Sequence, residues 1–215
     1  MDLMHRIGRA IVLFAVMTLG GWGAQSLAAD LVLNKDYRML DKPQPVETGK
    51  KIEVIEFFSF SCPHCKDMEP FLTAWIKKLP ADVQLRRIPV QFSPPWVGTA
   101  KVWYTLEAMN EEKLVPEVFA AIHGQNLRLD QEKPFFDWAA SKGLDRKKVE
   151  DMYNSFAVNG KVARAKGLVQ TYGVGSVPNF VVEGKYTTET GQQKRHEDVP
   201  ALLDKLIDKA RAEHK

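Results

Sequence analysis

The sequence has 215 residues, of which 45% are hydrophobic and 27% charged, and its formal net charge is +3. This composition is typical of a globular protein with one compact domain, or of one domain that carries an insertion. Charges of both signs are mixed along the chain, so the sequence lacks the concentrated basic patch that nucleic-acid binding requires, and no nucleic-acid partner is expected.

Residues 1–28 have the organisation of a secretory signal peptide, with cleavage expected after Ala28. Basic residues come first, then an apolar run, then small residues at the cleavage site: His5, Arg6, Arg9, 10–19, Ser26 and Ala28. The apolar run is about ten residues long, which is too short for a membrane-spanning helix, since such a helix needs about 20 apolar residues. An uncleaved N-terminal anchor is the alternative to a cleaved signal peptide. The segment predicts export into an oxidising compartment, where disulfides persist.

The chain has two cysteines, Cys62 and Cys65, in the stretch "FFSFSCPHCKDMEP". A disulfide between them would close a ring of four residues, which removes very little entropy from the unfolded chain. The pair therefore does not act as a structural staple, and its spacing indicates redox chemistry.

A strand and a helix are predicted on either side of Cys62. Residues 51–60, "KIEVIEFFSF", are rich in β-branched and aromatic residues and predict a buried strand. Apolar residues at helical spacing follow: Met68, Phe71, Leu72, Trp75 and Leu79. Pro70 lies inside this helix, where it is expected to produce a kink. Residues 83–92, "VQLRRIPVQF", predict a second strand.

The order of elements predicts an α/β fold with a helical insertion. Residues 93–98, "SPPWVG", are expected to form a loop, and helices follow up to Tyr172. Two apolar stripes are predicted as buried helix faces: Val149, Met152, Tyr153 and Phe156, and then Val158, Val162, Ala165, Val169 and Tyr172. A hairpin turning at Glu183–Gly184 and a closing helix complete the chain. One α/β domain of 29–92 and 173–215, interrupted by a helical domain of 93–172, explains this β-α-β, helical, β-β-α order.

The helix N-terminus gives the cysteine pair its expected chemistry. The free N–H groups and the helix dipole stabilise an anion, so the pKa of Cys62, taken as the exposed member, should be lowered. His64 should favour the thiolate further, while Cys65 lies one turn deeper. A stabilised thiolate makes the disulfide less stable, and the pair is therefore interpreted as a disulfide donor.

Other uses of the cysteines fit the sequence less well. Zinc requires about four ligands, and the remaining histidines lack ligand spacing, so no metal is expected. Covalent haem attachment needs a histidine directly after the second cysteine, where Lys66 stands, and a Cys-His hydrolase needs no second cysteine.

Farther along, Pro178 between a Gly-rich turn and a strand predicts a cis Val177–Pro178 bond, with a trans proline on an edge strand as the alternative.

These segments resemble the DsbA family of periplasmic thiol:disulfide oxidoreductases, which belongs to the thioredoxin superfamily. The resemblance rests on "EFFSFSCPHC" and "GVGSVPNFVVEGKY" together, and it extends over essentially the whole mature chain. It implies a thioredoxin-like fold with an inserted all-helical domain. It also implies that Cys62 forms the mixed disulfide with substrate, Cys65 resolves it, and Pro63 with His64 tunes the redox potential.

The resemblance assigns further roles around the cysteines. Val177 and Pro178 would line the substrate groove, where the backbone of Val177 can pair with an extended peptide. Glu56 matches the family's buried acidic residue, which could accept the proton as Cys65 attacks; the alternative is a glutamate that reaches solvent. Arg87 stands where a lysine partner of that carboxylate is expected, and arginine cannot release a proton.

The resulting hypothesis is a monomeric, soluble periplasmic dithiol oxidase without a metal or organic cofactor. Its substrates would be reduced exported proteins, and the resemblance implies re-oxidation by a quinone-linked membrane oxidase of the DsbB type. Two alternatives remain open: a periplasmic reductase or isomerase with the same chemistry, and a chaperone or binding protein in which the cysteines are vestigial.

Overall fold

The computed structural model describes residues 31–189 and 195–213, so the predicted signal peptide lies outside the described residues. The strands are β1 Arg38–Met39, β2 Ile52–Phe58, β3 Val83–Pro89, β4 Asn179–Val182 and β5 Tyr186–Glu189. The helices are α1 Pro63–Ile76, α2 Pro94–Ala108, α3 Val115–Gly124, α4 Glu132–Ser141, α5 Arg146–Tyr153, α6 Phe156–Thr171 and α7 Val199–Glu213. Short 3₁₀ turns at Glu112–Leu114 and His196–Asp198 precede α3 and α7.

The strands form one mixed sheet in the order β1-β5-β4-β2-β3. β2 pairs in parallel with β3 and antiparallel with β4, and β5 pairs antiparallel with both β4 and β1. All seven residues of β2 are buried, as expected for a β-branched and aromatic strand covered on both faces. The predicted order β-α-β, helices, β-β-α is confirmed, and β1 is an additional strand that the sequence did not indicate.

Each face of the sheet packs against its own set of helices. Val54 of β2 belongs to a core cluster with residues of α1 and α7, whereas Ile55 and Phe57 belong to a cluster with α2 to α6. This alternation follows from the strand geometry, in which successive side chains point to opposite faces. The helices between β3 and β4 therefore share a core with the sheet. The division into domains of 29–92 with 173–215, and of 93–172, stays a prediction.

The loop expected at residues 93–98 is instead the beginning of α2. This helix begins at Pro94, and Ser93 is its N-cap residue. The first N–H groups of a helix have no intrahelical partner, so prolines at the first positions remove no hydrogen bond. Pro94 and Pro95 therefore mark a helix start rather than a loop.

Phe156 is the second correction, because 94% of its surface is exposed. α5 ends at Tyr153, and the Ser155 side chain accepts a hydrogen bond from the Val158 N–H, which caps a new helix. The turn between the two helices breaks the 3.6-residue period on which the predicted stripe depended. Val149 and Tyr153 are buried as expected, but Phe156 points to solvent as the first residue of α6.

Two further predictions can be compared with the structure. The hairpin turns at Glu183 and Gly184, which both have positive φ, as a tight turn between twisted strands requires. Pro70 lies inside α1, and the helix continues past it to Ile76. Among the described residues, there is no helix whose length and apolar character would allow it to cross a membrane.

Candidate active site

The two cysteines lie at the junction between β2 and α1. Cys62 is the N-cap residue of α1, with φ −92° and ψ 118°, and Pro63 occupies the first helical position. The unpartnered N–H groups of the first turn and the helix dipole therefore place partial positive charge next to Cys62. This arrangement confirms the predicted strand-to-helix junction.

Both cysteines are free thiols, and both are buried. The expectation that Cys62 is exposed is wrong: 6% of its surface is accessible. The loop before β4 covers it, and the Cys62 thiol donates a hydrogen bond to the carbonyl oxygen of Val177 at 3.5 Å. Cys62 nevertheless remains the more accessible member, since Cys65 is 1% exposed.

The covering loop contains a cis peptide bond between Val177 and Pro178, as predicted. Because β4 runs antiparallel to β2, its first residue, Asn179, pairs with Phe57 near the end of β2. This register brings Val177 and Pro178 to Cys62 across more than a hundred residues of sequence. Both residues of the cis bond are buried.

The two thiols differ strongly in proton affinity. The Cys65 thiol donates a hydrogen bond that, with smaller contributions from the Cys65 and His64 N–H groups and the His64 charge, lowers the pKa of Cys62 to about 6. Burial, together with the neighbouring Cys62 sulfur, raises the pKa of Cys65 well above its usual value. The predicted direction for Cys62 is confirmed, but the contact with Cys65 contributes more than His64 does.

His64 is exposed and lies against a second imidazole. The ring centroids of His64 and His196 are 6.1 Å apart, and the ring planes are inclined by 32°. His196 begins the 3₁₀ turn before α7, and sequence reasoning considered it only as a metal ligand. The described residues contain no cluster of three or more His, Cys, Asp or Glu side chains that could bind a metal ion.

Glu56 lies in a buried ion cluster behind the cysteines. The Glu56 side chain is 1% exposed, which excludes the alternative of a glutamate that reaches solvent. Arg87 Nε lies 2.7 Å from Glu56 Oε2, so Arg87 is the partner of this carboxylate. Burial, with a smaller contribution from the negative charge of Glu69, raises the pKa of Glu56 to about 7, and Arg87 opposes this effect.

Sequence reasoning missed Glu69, which completes the cluster from α1. Arg87 Nη2 lies 2.8 Å from Glu69 Oε2, and Glu69 is buried, with 4% of its surface exposed. One signal could have found it: Glu69 is four residues after Cys65 and lies between Met68 and Leu72, so it occupies the apolar face of the helix.

A cleft of about 450 Å³ adjoins the cysteine site. Pro63 and Ser61 form one side, and residues of the helical segment form the other: Pro95, Trp96, Thr99, Ile122, His123, Asn126, Leu127, Arg128 and Asp130. The His123 ring nitrogen Nε2 is 2.7 Å from the Phe60 carbonyl oxygen, and this contact joins α3 to the loop before Cys62. Trp96 therefore lies beside the site.

The chemistry that this arrangement supports is disulfide exchange. One sulfur is ionised near neutral pH and is the more accessible of the two, and the second lies in hydrogen-bond contact with it and keeps its proton. On a sheet of this topology, with a cis-proline loop against the reactive sulfur, the site defines a thiol:disulfide oxidoreductase of the thioredoxin-like class.

Comparison with known proteins agrees with this class. The family model described as "DSBA-like thioredoxin domain" matches residues 53–199. The thiol:disulfide interchange protein DsbA of Pseudomonas aeruginosa is 39% identical over 206 residues, covering 95% of this chain and 98% of that protein. The corresponding protein of Burkholderia cepacia is 37% identical over 186 residues, covering 86% and 88%.

Solved structures show the same relationship. The crystal structure of Pseudomonas aeruginosa DsbA has a TM-score of 0.82 and 40% identity, covering 87% of this chain and 98% of that one. The oxidoreductase NmDsbA1 from Neisseria meningitidis has a TM-score of 0.77 and 28% identity, covering 86% and 97%. The chain belongs to the DsbA-like thioredoxin domain family and is a thiol:disulfide oxidoreductase.

Proposed function

We propose that this protein works in the periplasm as a dithiol oxidase that donates its Cys62–Cys65 disulfide to reduced exported proteins. The observation that carries the proposal is the lowered pKa of Cys62, about 6. At pH 7 this shift stabilises the reduced protein by about 1.4 kcal/mol relative to an ordinary thiol. That free energy makes the disulfide about 30 mV more oxidising.

The reaction follows from the difference between the two sulfurs. A substrate thiolate attacks Cys62 Sγ, the Cys62–Cys65 bond breaks, and Cys65 leaves and takes up a proton. A second substrate thiolate then attacks the substrate sulfur of the mixed disulfide, and Cys62 leaves as a thiolate. Its low pKa favours this departure, since thiols of lower pKa leave faster.

Substrate binding is assigned to the surface around Cys62. The Val177 carbonyl lies against the reactive sulfur, and Val177 and Pro178 would line the groove in which the Val177 backbone pairs with an extended peptide. The cleft beside Pro63, with Trp96 and Leu127 in its wall, offers an apolar surface for a substrate side chain. Pro63 and His64 tune the potential, and Glu56 exchanges a proton with Cys65.

The cellular setting follows from the first residues and from the family. Cleavage of residues 1–28 would release a monomer into the periplasm, where reduced exported proteins are the substrates. A quinone-linked membrane oxidase of the DsbB type would restore the disulfide. The exchange itself takes place between sulfur atoms and needs no metal or organic cofactor.

The test is the reduction potential of the purified mature protein, measured by equilibration with glutathione buffers. An oxidase should have a potential well above the roughly −270 mV of thioredoxin. In parallel, Cys62→Ala should abolish the oxidation of a reduced, unfolded test protein, because the mixed disulfide cannot form.

The rival functions give different results. A potential close to that of thioredoxin would contradict the oxidase and favour a reductase or isomerase. Full activity of Cys62→Ala would contradict any dithiol chemistry at this site, and it would favour a chaperone or binding protein that uses the groove.

A further inference from the structure

The cluster behind the cysteines has two carboxylates and one guanidinium. Arg87 lies between them, with Nε 2.7 Å from Glu56 Oε2 and Nη2 2.8 Å from Glu69 Oε2. Arg87 Nη1 also reaches Glu69 Oε1 at 3.4 Å, and the Thr73 hydroxyl donates to the same oxygen at 2.8 Å. Glu69 is therefore the better hydrogen-bonded carboxylate, and two nitrogens of Arg87 contact it, whereas one contacts Glu56.

Burial makes the charge balance of this cluster important. If both carboxylates were ionised, one net negative charge would remain in a region without solvent, which is costly. Two carboxylates that share a site do not ionise independently, and the proton affinity of one of them rises. Because Glu69 holds the better contacts, Glu56 is the carboxylate that takes up and releases a proton.

The groups packed around Glu56, Arg87 and Glu69 do not change the charge balance of this cluster. On the other side of β2, β4 places Phe180 opposite Glu56 and carries no charged residue. Phe58 and Trp103 lie about 6 Å from the Arg87 guanidinium. Beyond Glu69 and Arg87 a wider cleft begins, and its charged groups are Arg86, Lys77, Lys113, Glu107 and Glu112. On α1, Cys65 is the titratable group affected by the Glu56 charge.

We propose that Glu69 is a positioning residue of the exchange reaction: by sharing Arg87 with Glu56, it leaves Glu56 free to take up and return the proton of Cys65. This inference rests on the role proposed for Glu56. The substitution of arginine for the expected lysine fits it, because Arg87 keeps its own proton and acts only as a fixed positive charge.

The step in question is the closure of the Cys62–Cys65 disulfide from a mixed disulfide. The Cys65 thiol gives its proton to the Glu56 carboxylate, and Cys65 Sγ attacks Cys62 Sγ. The Cys62–Cys65 bond forms, the bond from Cys62 to the partner sulfur breaks, and the partner leaves as a thiolate. Two electrons pass from Cys65 to the departing thiolate, so atoms and charges balance.

The experiment measures this step as the decay of a mixed disulfide between Cys62 and glutathione, formed by adding oxidised glutathione to the reduced protein. In Glu69→Gln, Arg87 has Glu56 as its one remaining carboxylate partner within the described residues. The pKa of Glu56 should therefore fall, and Glu56 becomes a weaker base. The acid limb of the decay rate, where the rate falls as Glu56 takes up its proton, should move down by about one pH unit, and the rate on the plateau above about pH 8 should fall about threefold. Glu47→Gln is the matched control, because Glu47 is the second carboxylate on Arg86, and its profile should not move.

A lost or slowed rate with an unmoved acid limb in Glu69→Gln would overturn the inference, since a structural residue lowers the rate without changing the proton affinity of Glu56. If Glu56→Gln itself shows the wild-type profile, the role proposed for Glu56 fails, and this failure is separate from that of Glu69.

A second measurement uses the unmodified protein, in case Glu69→Gln does not fold. Carboxyl-labelled glutamate signals are followed by NMR against pH in the reduced protein. Sharing of Arg87 with Glu69 predicts that the Glu56 signal moves with a midpoint near neutral pH, in keeping with its raised pKa of about 7. A Glu56 midpoint in the ordinary range of a glutamate, about 4.3, would contradict the proposal.

Discussion

Arg86 and Arg87 are neighbours in β3, yet they belong to ion clusters on opposite faces of the sheet. On the α6 face, Arg86 lies 2.6 Å from Glu53 and 3.0 Å from Glu47, and Glu47 also pairs with Arg164 of α6. Two arginines thus meet these two carboxylates. On the α1 face, Arg87 alone meets the two carboxylates described above.

Each cluster contains one fully buried carboxylate, Glu53 or Glu56, but the second carboxylates differ in their access to solvent. The side chain of Glu47 is 33% exposed, whereas that of Glu69 is 6% exposed. Although burial raises it, the pKa of Glu47 is lowered overall by Arg164 and Arg86, and burial raises that of Glu56 to about 7. The same residue types therefore keep Glu47 ionised on one face and give Glu56 a proton affinity near neutral pH on the other.

Loss of the central arginine should show the largest difference between the faces. Arg87→Met leaves two buried carboxylates without a counter-charge, so we expect it to reduce the free energy of unfolding by about 3–5 kcal/mol. Arg86→Met should cost less, at the lower end of this range, because it leaves only one buried carboxylate, that of Glu53, without a counter-charge, while Glu47 keeps Arg164 and solvent. Urea unfolding of both variants in the oxidised state gives the values. Equal losses would mean that burial and charge balance do not distinguish the clusters.

Sequence reasoning identified the parts of this site that carry local signals. The spacing of Cys62 and Cys65, the strand-to-helix junction and the Val-Pro segment each have a short-range pattern, and the structure confirms them. Glu56 was found through the resemblance, since a glutamate inside an apolar strand also fits a strand end. Its burial is decided by β4 and α1, which lie far away in the sequence.

The features that were missed depend on long-range contacts. A glutamate in a helix is usually a surface residue, and the Arg87 contact that buries Glu69 comes from a different strand. The covering of Cys62 by Val177 likewise depends on the β2–β4 register, which no local pattern contains. Phe156 fitted a helical period, but the Ser155 cap restarted the helix, so the period did not extend across the turn.

The Cys62 thiolate, unlike the carboxylates of the two ion clusters, exists only in the reduced protein, so its effect on stability appears as a difference between the two redox states. The Cys62 pKa of about 6 lies below the usual thiol value of about 8.5, so ionisation stabilises the folded reduced protein. This contribution should reach about 3 kcal/mol above pH 8.5, fall to about 1.4 kcal/mol at pH 7, and vanish as the pH falls through 6. The measurement is the difference in unfolding free energy between reduced and oxidised protein at pH 5, 7 and 8.5.

A difference that stays constant with pH would show that the Cys62 thiolate is not what stabilises the reduced form. Glu47→Gln should leave the difference unchanged, because its carboxylate lies on the α6 face and pairs with Arg86 and Arg164. A change in that variant would show that the two faces are coupled through β3.

The smallest expected effect concerns the groups that act on Cys62 from α1 itself. Cys65→Ala should raise the pKa of Cys62 more than His64→Ala does, since the hydrogen bond from Cys65 contributes more than the nearby imidazole. His64→Ala should still raise it, and should make the disulfide harder to reduce, because the thiolate loses a favourable charge. The rate of iodoacetamide alkylation against pH gives the Cys62 pKa in each variant. A larger shift in His64→Ala would mean that surface charge, rather than contact with the buried thiol, sets the reactivity of Cys62.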